Sequence, residues 1–415
     1  MEKSRRSLIS REPLRSPSIR SPISTAGGGE DLVGTSSSSR GSSPQYESKE
    51  PSDSSTLVGT CPDMCPAKER VQRERLRDLA VFERLNGHPR KTSPSLAVKK
   101  FCRTLSSNEV CLSDIRPASV LQNTLQYLLS LVDTTGQPFE VVHDFVFDRT
   151  RSIRQDLSMQ NIVNEQAIQM YEDMVRFHII SQQKLARHHR WAESSPLHHL
   201  NLEQLIKCLL SLYEIYEINR RTEFISRNET EFHSLYVLLH LGCKIPLMER
   251  SLSLRFRQLS SPILKSKELR FTRTVIRYFR MGDYKRFFDV VAAEASQLQL
   301  CLIEPFLNEV RAQAISCINH SGYKLQPYPL KRLSEVLMIK EQELESLCCE
   351  CGLEIITDEL GCKLLPAGQS SFRQPKAELQ SYPLSRPEYS PRYQFCSLQI
   401  MNGVSFTFEQ FSFSN

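Results

Sequence analysis

The sequence predicts an all-α protein: a right-handed solenoid of paired helices, closed by a C-terminal winged helix with a small β-hairpin, between two disordered tails. Three observations lead there. Apolar residues recur at three- and four-residue spacing from Val58 to Gly322, as one buried helix face requires. No strand-like alternation interrupts that pattern. After Gly322 it changes to short helix, turn, second helix, glycine and hairpin.

Residues 1–57 hold seventeen serines and a run of three glycines. They bury too little to offset ordering entropy and read as a disordered Ser-rich tail. Ser16-Pro17, Ser21-Pro22 and Ser43-Pro44 fit either proline-directed phosphorylation or an ordinary tail.

Residues 58–322 read as the helical solenoid. Pro66 suits a first helical position and Asn86-Gly87 the stop, with Val71, Leu76, Leu79 and Phe82 as the buried side. Ser93-Pro94 opens the next helix, and Pro117 another that ends before Gly136. The segment Asn161 to His188 is expected to be the longest, carrying Val163, Ala167, Met170, Met174 and Phe177 on one face. Leu202, Leu205, Leu209, Leu212 and Tyr216 repeat that stripe, and further helices fall near 228–242, 247–258, 268–281, 284–296 and 302–319. Each pair leaves an apolar face that only its neighbour can cover, with no strict period.

Residues 323–366 read as the winged helix. Leu330, Leu333 and Leu337 make a short helix, Glu341 to Cys351 a second, and Gly352 a left-handed stop. Leu353, Ile355 and Ile356 then face Cys362, Leu364 and Leu365 across Asp358-Glu359-Leu360-Gly361. Residues 367–415 read as a mostly disordered tail, whose alternating aromatics (VSFTFEQFSFSN) fit an edge strand or a frayed end.

The net charge is +6, but twelve Lys/Arg stand against three Asp/Glu between Lys244 and Arg286, and eleven against four between Lys68 and Arg103. Such stretches are solvated helix faces or surfaces that attract polyanions by counterion release. The thirteen cysteines are an odd number. Most sit in apolar patterns (Cys208, Cys243, Cys301, Cys317) and read as buried small hydrophobes in a reducing compartment, cytosol or nucleus. No apolar run is long enough for a membrane span.

Cys61 and Cys65, in GTCPDMCP, reach for only two of the four ligands that structural zinc needs. A tight turn, with Pro62 and Pro66 fixing φ and Asp63 as N-cap, accounts for them better. Neither His188-His189 nor His198-His199 has the i, i+4 spacing that converges on a metal. With no phosphate loop or nucleophile elbow, the sequence argues against an enzyme, a cofactor or a metal. In Asp148-Arg149-Thr150-Arg151-Ser152-Ile153-Arg154-Gln155-Asp156, arginines and aspartates at helical offsets fit pairs that lock neighbouring helices, or a phosphate-contacting surface. The second helix of the winged module, Lys340-Glu341-Gln342-Glu343-Leu344-Glu345, is acidic. Phosphates repel it, so it suits pairing with another protein better than the major groove.

At GTCPDMCPAKERVQRER, DRTRSIRQDLSMQN and MGDYKRFFDVV the chain resembles the Sac-three/GANP family, as a short plant-type member matching from Val58 to Pro366. The resemblance implies a PCI/TPR-like solenoid and a scaffold of TREX-two, the nuclear complex that couples transcription to mRNA export at the nuclear pore. It implies RNA binding jointly with a PCI-domain partner protein, and a small acidic Dss/Sem-type subunit that stabilises the partner. It gives Cys61, Pro62, Asp63, Cys65, Pro66, Asp148, Arg149, Arg151, Arg154, Gln155 and Asp156 structural roles. The candidate nucleic-acid contacts are Arg270, Arg273, Arg277, Arg280, Lys285 and Arg286. No Phe-Gly repeats stand before Val58, and the short stretch after Pro366 puts centrin and the Sus/ENY-type subunit in doubt. A scaffold in another PCI assembly, the proteasome lid or a centrosome or spindle structure, is the alternative.

Overall fold

The computed structural model describes residues 57–104, 111–188, 196–221, 226–242, 253–321, 326–375 and 382–385. The readings of residues 1–56, Cys243, His189, the first half of the helix expected near 247–258 and the aromatic end lie outside them. Among the described residues the protein is mostly helical.

Helix α1 spans Ala67–Leu76, α2 Ala118–Thr134, α3 Phe139–Met159, α4 Glu165–His188 and α5 Pro196–Arg220. Prolines stand at the N-caps of the first three, at Pro66, Pro117 and Pro138, where a missing N–H costs nothing. Asn161, at φ +50, turns the chain from α3 into α4, a left-handed conformation that asparagine tolerates. Helix α6 (Glu229–Leu238) comes before a helical stretch over 253–258, the described half of the helix expected near 247–258, and a single turn at Ser261–Leu264; α7 (Lys267–Met281), α8 (Tyr284–Glu294) and α9 (Gln297–His320) follow. A Ser296–Gln299 capping box opens α9, five residues before the start expected at 302. Among the described residues α4 covers 24 residues and α5 25.

From α2 to α9 consecutive helices pack as neighbours, and α4 touches α2, α3, α5 and α9. Ala167, Met170, Met174, Val175, Phe177 and Ile180 of α4, each at most 1% exposed, form the middle of one continuous core. It runs from Leu121 on α2 to Leu347 on the last helix.

The N-terminal part departs from the sequence reading. The helix expected over 66–85 stops at Leu76, where Arg77 turns left-handed at φ +58, and continues as 3-10 turns at Val81–Glu83 and Leu85–Gly87. Val71 and Leu76 are 63% and 60% exposed, while Arg73 is 4% exposed. Buried polar pairing, not apolar periodicity, decides which side of α1 faces in. Ser93-Pro94 opens a turn instead of a helix, because the backbone that follows is engaged elsewhere. Val98 N–H donates to Glu83 (3.0 Å), its carbonyl accepts from Arg73 (3.0 Å), and Lys99 N–H donates to the Met64 carbonyl (3.0 Å). Asp63 is not the N-cap of α1; its carboxylate accepts from Arg70 at 2.9 Å. Cys208 and Cys301 are buried as expected, but Cys317 is exposed.

Beyond α9, β1 (Tyr328–Pro329) precedes α10 (Leu330–Val336) and α11 (Glu341–Glu350), and β2 (Ile356–Thr357) and β3 (Lys363–Leu365) follow. The sheet has three strands, not two, in the order β1-β3-β2, all antiparallel. Ile356 stands opposite Leu364, and Tyr328 opposite Leu365. Gly352 is left-handed at φ +78, and a Cβ there would stand 2.6 Å from the Ser371 carbonyl oxygen.

That approach brings part of the stretch expected to be a mostly disordered tail (367–415) against the helices. Asn319, fully buried, exchanges hydrogen bonds with Gly368 and Gln369 at 2.7 to 2.9 Å, and Arg373 N–H donates to the Cys351 carbonyl at 2.8 Å. Further on, Arg311 is 0% exposed. It donates to the carbonyls of Leu337 (3.2 Å), Met338 (3.0 Å), Tyr382 (2.6 Å) and Pro383 (3.3 Å) and to the Asn308 side chain (3.1 Å). Residues 382–385 are thereby fastened over the α10–α11 turn.

Candidate nucleic-acid interface

The motif residues on α3 tie the segment before α2 to the helices. Asp156 is fully buried; one carboxylate oxygen accepts from Lys99 Nζ and the other from Arg116 Nε, both at 2.7 Å. Arg116, also fully buried, donates to Ser152 Oγ (2.7 Å) and the Met64 carbonyl (3.2 Å). Arg149 and Arg73 converge on the buried carboxylate of Glu83. Burial works against the Glu83 charge, yet Arg149, Arg73 and the Val98 N–H together hold its carboxyl below the usual range. Asp148 pairs with Arg149 and accepts from Phe101 N–H at 3.3 Å. The Arg151 guanidinium stacks 3.9 Å from the Phe101 ring centroid, Arg154 donates to Gln204 at 2.5 Å, and Gln155 donates to the Cys102 carbonyl at 2.8 Å. These side chains are engaged by protein groups, which leaves this motif little to offer a phosphate.

Cys61 and Cys65 are buried, and burial raises both thiols, Cys65 to about 12. Pro62 is exposed and Pro66 buried beside them. His198 bonds Gln182 at 2.7 Å while His199 faces outward. Among the described residues no cluster of His, Cys, Asp and Glu is arranged to hold a metal ion, and no helix is long and apolar enough to cross a membrane.

Sequence reasoning missed Lys99, Arg116, Glu83 and Gln160 as partners in the network. It also missed a buried histidine pair: His143 and His178 both bond Asn201 Oδ1, at 3.2 and 2.8 Å. Burial lowers His143 and pushes His178 down to about 3. The only trace of these in the sequence was position, each lying within an otherwise apolar run.

Exposed cations line one side of α7. Leu269, Phe271, Thr272 and Val275 are buried, and Arg270, Arg273, Arg277 and Arg280 are exposed. At 100° per residue the four arginines lie within about 80° of arc, and from first to last they span about 15 Å. Ser266 caps the start through Leu269 N–H, and left-handed Gly282 (φ +68) ends the helix. Asp283, accepting from Arg286 N–H, begins α8 at once. That two-residue corner sets Lys285 and Arg286, both exposed, just beyond the stripe. Asp283 partly offsets Arg286 at 3.4 Å, and Asp289 and Glu294 of α8 are exposed farther along. All six residues picked out in the sequence are exposed, four on α7 and two in the first turn of α8. Closely spaced guanidiniums in water suit a phosphate backbone.

The family model for the SAC3/GANP family matches residues 64–357. The chain is similar to "SAC3 family protein B" of Arabidopsis thaliana, at 38% identity over 321 residues, 75% of this chain and 18% of that one. It is 32% identical to "SAC3 family protein 1" of Schizosaccharomyces pombe over 73% of this chain and 31% of that one. "Protein xmas" of Drosophila melanogaster is 28% identical over 73% of this chain and 15% of its own length. The chain therefore spans less than a third of each of these relatives.

Proposed function

Because the chain belongs to the SAC3/GANP family, we propose that it is a non-catalytic scaffold of a nuclear mRNA-export complex of the TREX-two type, binding RNA jointly with a PCI-domain partner and docking messenger ribonucleoprotein at the nuclear pore. In this reading the paired helices α2 to α9 form the right-handed PCI/TPR-like solenoid, and β1 to β3 with α10 and α11 form the winged helix that caps it. A small acidic Dss/Sem-type subunit accompanies the partner.

The observation that carries the reading is the arginine stripe of α7. Its arginines are exposed on a well-capped helix whose other face is buried in the core, which supports a backbone spacing fixed before any ligand arrives. The acidic first turn of α11, with Glu341 and Glu343, disfavours phosphate there and leaves that face for protein pairing.

The test is the salt dependence of single-stranded RNA binding by the reconstituted pair. Replacing Arg270, Arg273, Arg277 and Arg280 by Gln removes four contacts at about 0.7 each, lowering the slope of log K against log salt by about 3. An unchanged slope overturns the assignment. Recovery of proteasome-lid or centrosomal proteins without export factors, on purification of the native assembly, overturns the choice of complex.

A further inference from the structure

A second basic surface arises in residues 57–104 from where the carboxylates go. All five acidic residues of that stretch are engaged by protein groups. Asp63 holds Arg70 and Asp78 holds Lys100, both at 2.9 Å. Glu69 accepts from Lys100 N–H (2.9 Å), Glu74 from Thr92 N–H (2.8 Å), and Glu83 is buried among arginines. Lys68, Arg75, Arg77, Arg90 and Lys91 stay exposed, and none makes an ion pair among the described residues.

Backbone bonds hold these cations near one another. Lys68 and Arg75, seven residues apart, share the outward side of α1 about 10 Å apart along its axis, and Arg77 follows at the helix end. The bond from Thr92 to Glu74 seats Lys91 against the last turn of α1. Leu85 N–H donates to the Lys91 carbonyl (2.8 Å) and Lys91 N–H to the His88 carbonyl (3.2 Å). They close a loop that carries Arg90, whose own N–H donates to His88 Nδ1 at 3.2 Å.

An ordinary solvated face mixes both signs of charge; this one presents a single sign. It has no apolar face on which a protein helix could sit, since exposed Val71 and Leu76 stand about 140° apart around α1. Nor has it rings for bases to stack on. Phe82 and Phe101 are the only Phe, Tyr or Trp side chains of the stretch. The first packs against Phe145 at 5.0 Å, and the second lies under the Arg151 guanidinium at 3.9 Å. Cations of one sign, without anchors or rings, match a phosphate backbone and not its bases.

We infer that Lys68, Arg75, Arg77, Arg90 and Lys91 form a second RNA contact, separate from α7, that grips the phosphate backbone whatever the sequence. The inference rests on the RNA-binding reading above and extends it to the other end of the helical array.

The experiment uses the full chain and a single-stranded uridine RNA at low salt, where the electrostatic attraction is strongest. Bound RNA should slow acetylation of Lys68 and Lys91 several-fold and leave exposed Lys207 of α5 unchanged. Replacing all five cations by Gln should lower the slope of log K against log salt by about 3.5, at about 0.7 each. Combined with the Gln variants of α7, the two losses should add. An adenosine RNA should behave alike. The five side chains make no bond within the fold, so the melting temperature stays at the wild-type value. An unchanged slope overturns the inference, as does equal slowing at Lys207, a slope loss confined to one base, or equal protection by polyglutamate. Loss of slope from the α7 variants alone sinks this contact and leaves the α7 assignment standing. Loss from the five cations alone does the reverse, and no binding at low salt sinks both.

Discussion

Replacing Asp156 by Asn tests the network that holds the N-terminal segment. The carboxylate is fully buried and meets two cations at 2.7 Å, Lys99 and Arg116, themselves 7% and 0% exposed. Asparagine keeps the volume but removes the negative charge, and its amide N–H₂ points donors at donors. Two positive groups are then left in the interior without a counter-charge. Breaking a buried pair from one side costs about 3–5 kcal/mol, a large share of the ~5–15 kcal/mol that folded proteins possess. At roughly 2 °C per kcal/mol the melting temperature falls by about 6–10 °C. The assay is thermal unfolding by circular dichroism, with limited proteolysis to locate the loosened part. Cleavage should appear first between residues 57 and 103. Adding Lys99→Met removes one orphaned charge and recovers about 1–2 kcal/mol. A melting temperature within about 2 °C of wild type for Asp156→Asn refutes the reasoning.

Gly59→Ala places a Cβ 2.4 Å from the Ile115 carbonyl oxygen and so strains the bonds Thr60 and Cys61 make to Leu112 and Ile115 at 2.9 Å. A loss of about 1–3 kcal/mol is expected, read by urea unfolding, with the same early cleavage. Arg311→Met strands the carbonyls of Leu337, Met338, Tyr382 and Pro383; hydrogen–deuterium exchange should rise at Ser385, whose N–H donates to the Met338 carbonyl at 2.9 Å, and unchanged exchange there counts against the fastening. Burial depresses His178 to about 3 and lowers His143, so the unfolded chain takes up protons first as pH falls. Their contribution is whole above the unfolded value of about 6.5, erodes below it by up to about 1.4 kcal/mol per pH unit for each, and for His178 is exhausted near 3. Melting at pH 7 and pH 5 measures this, and His178→Gln, which can still donate to Asn201, should flatten the difference.

Much of the helical core was legible because it rests on apolar periodicity. Pro117 opens α2 where expected, and Ala167, Met170, Met174 and Phe177 form the buried face of α4. The same rule misread α1, where Val71 and Leu76 fit a buried stripe but the inward side is set by Arg73 reaching Glu83. Charged pairs formed across distant stretches leave no periodic trace. That is also why Lys99 and Arg73 counted as part of a basic surface although both are buried. β1 escaped notice because two residues, one of them proline, cannot display an alternation. The docked tail escaped because what holds its carbonyls is one buried arginine donor inside α9. The exposure of the α7 arginines agrees with their place in a basic stretch of the sequence.

Gly59 donates its N–H to Gln160 at 2.8 Å, 101 positions downstream, and Gln160 in turn donates to the Arg116 and Asp156 carbonyls at 2.8 and 2.9 Å. On the ribosome, then, the stretch around Gly59 emerges long before its anchor exists. It waits, unseated, until the end of α3 has left the exit tunnel, and at about 5–20 residues per second that delay lasts roughly 5–20 s. During that interval Cys61 and Cys65 are open to solvent as ordinary thiols, so oxidative damage there is a hazard of birth and not of the mature fold.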